Sequence, residues 1–181
     1  MMNPFQIILG FGIPLDMNHV DTDMIIPARF LTNTQRNGYG EHLFEQLRQQ
    51  DSNFIFNDLR YQSNQILITR QNFGCGSSRE HAVWALQEAG IKVIIAESYS
   101  DIFYNNAAQN GLLLITLSAF LIDKLIKQSS SKNGILLTID LQQQEILTPE
   151  GEKIYFEYDP FRKSCLLNGQ DDLDYLLEAI Q

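Results

Sequence analysis

"QILITRQNFGCGSSREHAVWALQEAGIKVIIAE", residues 65–97, passes from one apolar strand pattern to another through a glycine-containing turn and a helical repeat. QILITR (65–70) reads as a strand. Ala82, Val83, Ala85, Leu86 and Ala89 then fall on one face at i, i+3, i+4, i+7 spacing, which predicts a helix over 78–89. Gly90 ends that helix, and KVIIAE (92–97) is a short buried strand. A strand, a helix and a second strand in this order make two parallel neighbours joined by a crossover, so the fold class is α/β.

The alternation continues downstream. Ser100 can cap a helix running to Gln109, Gly111 stops it, and LLLITL (112–117) is the next strand. SAFLIDKLIKQ predicts a third helix before the strand GILLTIDL (134–141), with the polar loop KQSSSKNG (127–134) between them. The pattern then changes to hairpins, with QQEILT and KIYFEY flanking the turn PEG, so antiparallel strands join the sheet. KIYFEYDPFRK, rich in aromatic residues, reads as an edge hairpin or a subunit contact, and DDLDYLLEAI (171–180) as a closing acidic helix. The first sixty residues have little periodicity, and a long aperiodic segment in a compact domain is more often functional than idle.

At 181 residues the chain is expected to form one domain, 1–181, with its own core. The 44% hydrophobic and 19% charged composition is that of an ordinary soluble protein. A net charge of −9 with no Lys/Arg cluster argues against nucleic acid as a partner. The N-terminal apolar run lacks a basic flank and a cleavage site, so it reads as a strand and not a signal peptide, and no run reaches membrane-spanning length. Only Cys75 and Cys165 are present, without a CxxC or zinc spacing, which predicts a reducing, cytoplasmic setting and no metal on this chain.

The chemistry concentrates on the turn. Ser77-Ser78-Arg79-Glu80 fits a capping box, with Ser77 as N-cap and Glu80 answering it, while Gly74 and Gly76 give the backbone freedom for a tight turn. Arg79 fits that reading poorly, because a cation in the first helical turn opposes the macrodipole by about 0.3–1 kcal/mol. An anion bound there would reverse the effect, so capping box plus arginine points to a carboxylate or phosphate pocket. The same field is expected to lower the pKa of Ser77 or of Cys75. A P-loop would need a lysine, a dinucleotide fingerprint would need glycine where Arg79 stands, and four positions from Cys75 to Arg79 are too few for a cysteine-phosphatase loop.

NFGCGSSREHA, together with VDTDMIIPARFL and GYGEHLF, resembles the small-subunit family of 3-isopropylmalate dehydratase, within the aconitase superfamily. The resemblance implies a three-layer β/β/α swivelling domain with a mixed sheet and helices on one side. It implies a hydro-lyase of leucine biosynthesis that interconverts hydroxy dicarboxylates, active only with a large subunit carrying a [4Fe–4S] cluster, and no cofactor on this chain. By position, Ser77 matches the serine that acts as base and Asp23 an acidic site residue, although Asp23 also fits an Asx turn. Ser78 and Arg79 match residues that bind a substrate carboxylate. A second arginine of the clamp falls on Arg36, or less well on Arg29. Glu80 fits a capping role, His81 a structural one, and Cys75 packing or redox sensitivity. A related dehydratase acting on citramalate or homocitrate, or a non-catalytic carboxylate-binding module, are the alternatives.

Overall fold

The computed structural model describes residues 2–32 and 35–180. Seven strands form one curled sheet in the order β4-β3-β2-β1-β5-β6-β7. β1 (Ile8–Pro14), β2 (Ile66–Ile68), β3 (Val93–Ala96) and β4 (Leu113–Thr116) run parallel. β5 (Leu136–Asp140), β6 (Glu145–Leu147) and β7 (Lys153–Tyr155) continue antiparallel on the other side of β1. β1 divides its length between the halves. Ile8–Phe11 face β5, and Gly12–Pro14 face β2.

Side-chain alternation in the parallel strands builds two cores. Leu67, Ile94 and Leu114 point into one, shared with α3 (Glu80–Glu88) and α4 (Asp101–Gln109). Ile66, Ile68, Val93, Ile95, Leu113 and Ile115 point into the other. There they meet α5 (Ala119–Ser130), α6 (Pro160–Asn168) and the inward residues Leu137, Ile139, Ile146 and Ile154 of the antiparallel half. Antiparallel half, parallel half and the α3–α4 layer are thus stacked in the expected mixed architecture. The helices are not confined to one side: α5 and α6 occupy the second core, because parallel strands need cover on both faces. Gly12 sits between the cores, where a Cβ would lie 2.6 Å from both Ile68 Cδ1 and Ser129 Oγ.

Most predicted elements are present, with boundary shifts. The helix expected over 78–89 begins at Glu80, and Ser100 caps α4 as expected. The DPFRK part of KIYFEYDPFRK belongs to α6, with Asp159 as N-cap and Pro160 at its first position, a helix-start signal present in the sequence. The aperiodic first sixty residues hold the short helices α1 (Thr22–Ile25) and α2 (Glu45–Gln50), together with 3₁₀ turns. α7 (Asp172–Ala179) closes the chain.

Candidate active site

The connections that leave β1, β2 and β3 meet at the carboxyl ends of the parallel strands, beside the strand where the sheet order reverses. In open α/β sheets that edge is the usual binding crevice. The turn after β2 is held as a strip between the other two connections. Gly74 N donates to Val20 O at 2.7 Å, and Thr22 N to Cys75 O at 2.9 Å. On the opposite side Phe73 N donates to Ser98 O, and Ser100 N to Phe73 O, each at 3.1 Å. Two hydroxyls complete the seam: Ser100 Oγ donates to Gly74 O at 2.7 Å, and Thr22 Oγ1 to Ser77 O at 2.9 Å. Gly74 is required twice over, because its φ is +77° and a Cβ would lie 2.2 Å from Phe103 Cγ. Gly76, at φ +91°, is required by conformation alone.

The side chains on this strip depart from the capping box. With the Ser77 carbonyl tied to Thr22, the chain enters α3 two residues later than the motif implies, so Arg79 is the N-cap. Arg79 is extended at φ −139° and makes no side-chain cap hydrogen bond. Glu80 therefore does not close a box with Ser77. Its carboxylate accepts from Asn110 Nδ2 at 3.0 Å and lies 3.6 Å from the Arg36 guanidinium. Ser77 and Ser78 are exposed immediately ahead of the helix.

Arg79 folds back onto Asp23, and the two form an ion pair across 56 positions of sequence. The Arg79 side chain is only 13% exposed, whereas Asp23 is 62% exposed. Among the described residues Asp23 is the only hydrogen-bond partner of the Arg79 guanidinium, so most donors of its five-donor fork are unused. Asp23 is free for this pairing because Asp21 does the capping. Asp21 Oδ1 accepts from Met24 N at 2.8 Å at the start of α1. Burial first, and the Asp21 charge second, push the Cys75 thiol up. That is opposite to the lowering expected from a helix start, and it fits a packed thiol better than a nucleophile.

The two arginines considered as a second clamp lie elsewhere. Arg36 stacks over Trp84 at 4.8 Å and hydrogen-bonds Asn110 Oδ1, so it rests on the α3–α4 face and reaches Arg79 only through the adjacent Glu80. The segment that follows it is anchored, since Gly38, Tyr39 and Gly40 amides all donate to Glu88 Oε2 at 2.7–3.0 Å. Arg29 pairs with Glu45 and lies over the Phe30 ring. The imidazoles take structural places. His81 packs between Tyr39 and Trp84, His42 stacks on Phe30 while its Nδ1 lies 3.0 Å from Glu45 Oε1, and His19 Nδ1 lies 3.0 Å from Asn72 Nδ2. Sequence reasoning missed Thr22, Asp21 and Glu88. Nothing local marks a threonine between two aspartates as a tether, and its role appears only when the turn packs beside it.

The aconitase C-terminal domain family model matches residues 2–119. A protein of Francisella tularensis subsp. novicida named 3-isopropylmalate dehydratase small subunit is 53% identical over 179 residues, covering 99% of this chain and 94% of its own. A protein of the same name from Aromatoleum aromaticum is 47% identical over 190 residues, covering 97% and 89%. A crystal structure of 3-isopropylmalate dehydratase from Methanocaldococcus jannaschii superposes with a TM-score of 0.71 at 31% identity, over 96% of this chain and 95% of that one.

Proposed function

The chain belongs to the aconitase C-terminal domain family, and from that membership we propose that it acts as the small subunit of a 3-isopropylmalate dehydratase. This hydro-lyase of leucine biosynthesis isomerises 2-isopropylmalate to 3-isopropylmalate through isopropylmaleate. Its relatives' names support the leucine-pathway substrate over citramalate or homocitrate, and they imply a large-subunit partner. A cytoplasmic location is part of the same proposal; no helix of the described residues is long and apolar enough to cross a membrane.

The residues of this chain do not fit a [4Fe–4S] cluster. Its two thiols are Cys75 on the turn and Cys165 buried in α6, and the described residues hold no group of three or more potential ligands. The reading assigns the cluster to the large subunit.

The observation that carries the proposal is Arg79: a largely covered guanidinium with most of its donors unused, at an uncapped helix start, next to an exposed serine. A substrate carboxylate placed there would meet the Arg79 fork and the first amides of α3 together. Asp23 holds the guanidinium in position and remains open to the site, while Ser78 adds a hydroxyl at its rim. Ser77 Oγ, held as an alkoxide by the same positive field, takes the proton from the carbon next to that carboxylate as the C–O bond on the adjacent carbon breaks and hydroxide leaves, and it returns a proton when hydroxide adds back on rehydration. Arg36 is the better second clamp, because its ion partner Glu80 adjoins Arg79, whereas Arg29 is engaged with Glu45.

The test is to combine the chain with its cognate large subunit and follow isopropylmaleate by absorbance. Ser77→Ala should assemble normally and lose at least ~100-fold in rate. Because Ser77 does not cap α3, the melting temperature should not move. Near-normal turnover in this variant would refute the assignment of the base.

A further inference from the structure

α7 stands on the body of the molecule with its apolar side turned outward. Leu173, Leu176, Leu177 and Ile180 recur at i, i+3, i+4, i+7, one stripe of a helix, and are exposed to 64%, 55%, 55% and 82%. The opposite side carries Tyr175, whose ring meets Phe161 of α6 edge-on with centroids 4.8 Å apart. No residue of α7 is buried. A helix of eight residues is too short to be stable in water by itself, and an amphipathic helix ordinarily turns its stripe to the core. This one turns it to solvent.

We propose that the Leu173–Leu176–Leu177–Ile180 stripe of α7 is a docking surface for the large subunit, seated in an apolar groove rimmed by lysine or arginine. The inference rests on the function proposed above. Charge selects the occupant. Residues 164–181 contain Asp171, Asp172, Asp174 and Glu178 and no basic residue, and the whole chain carries −9. A second copy laid against this stripe would bring acid onto acid. A basic-rimmed groove would cover the leucines and neutralise the flanking carboxylates together. Position agrees with charge. The start of α7 (Asp171, Asp172 and Leu173) walls a cavity of about 580 Å³ with Glu80, Trp84 and Arg36. Glu80 follows Arg79 directly, so the stripe continues the face that carries the site, and that face must be turned to the partner for a shared active site.

The experiment measures binding of purified large subunit to the full chain, with wild type, Leu176→Asp/Leu177→Asp and Asp172→Lys/Glu178→Lys compared. Wild type is expected to bind and to reconstitute turnover. The leucine variant should weaken binding by about 100-fold or more, as loss of central apolar anchors does. The charge variant should weaken it less and remove much of its salt dependence. At saturating large subunit the leucine variant should recover the wild-type kcat, since Leu176 and Leu177 lie outside the cavity that Arg36 lines. Circular dichroism verifies that the exposed substitutions leave the fold intact. Unchanged affinity in the leucine variant, with wild type binding and active, would overturn the docking surface and leave the functional reading standing. Failure of wild type to bind or reconstitute would overturn both. Sedimentation of the chain alone completes the test: a dimer dissolved by the leucine variant would make a second copy the occupant and refute the choice of partner.

Discussion

Cys75 and Arg79 stand four positions apart on one turn, yet the structure treats them in opposite ways. Cys75 is packed, with its thiol pushed up by burial and then by the Asp21 carboxylate. A raised pKa leaves less thiolate at any given pH, so alkylation by iodoacetamide should have its midpoint above the ordinary cysteine value of about 8.5. Asp21→Asn keeps the α1 cap, because asparagine caps as well as aspartate, but it removes the charge and should bring that midpoint down. Mass-spectrometric labelling across a pH series measures both; a wild-type midpoint at or below the ordinary value would contradict the packing account. Arg79, by contrast, is covered without being spent. In the proposed site its planar fork grips the substrate carboxylate, so Arg79→Lys should lower kcat strongly despite keeping the charge.

At the level of elements, α1 and the turn before α3 are fastened by Thr22, which is 2% exposed and bonds the turn at two points. Its backbone holds Cys75 O, and its hydroxyl holds Ser77 O. Thr22→Val keeps the shape and removes the hydroxyl, at a cost of about 0.5–1.5 kcal/mol in stability because the exposed Ser77 can turn its carbonyl to water. The kinetic effect should be larger, since the released carbonyl lets the Ser77 hydroxyl drift from its aim. We expect kcat to fall about tenfold or more with little change in KM, and Thr22→Ser to restore it. Equal kcat in the valine and serine variants would show that the seam is only structural. The segment after Arg36 illustrates the same principle of tertiary fastening. One carboxylate, Glu88, gathers three of its amides and pins it to α3.

For the molecule as a whole, the two cores are coupled through β1, whose halves belong to different parts of the sheet. Gly12 marks the hand-over point, and its missing side chain lets β2 and α5 approach together. Gly12→Ala should destabilise the chain by about 1–3 kcal/mol, because Ile68 and Ser129 are fully buried and have little room to retreat. Urea unfolding should show this as a lower midpoint in one transition, since a strand common to both cores links their loss. Two transitions would mean that the halves unfold independently.

The α/β class, the order of strands and helices and the hairpins near the C-terminus could all be read from the residues, because each depends on periodicity and turn chemistry within a few positions of chain. The glycine turn with its serines and arginine was legible for the same reason. α6 carried a readable signal in Asp159-Pro160 and was hidden by the aromatic run before it. What the sequence left open depends on contacts between distant positions. Arg79 finds Asp23 across 56 residues, Thr22 fixes the Ser77 carbonyl across 55, and together they move the start of α3 to Glu80 and empty the capping box. Periodicity also shows that α7 has an apolar stripe without showing which way it points. The neighbours decide that, and here Tyr175 takes Phe161 and turns the leucines to solvent. Local pattern states what each segment is able to form; only the packing of segments from different parts of the chain decides which side chains meet and which faces are left for a partner.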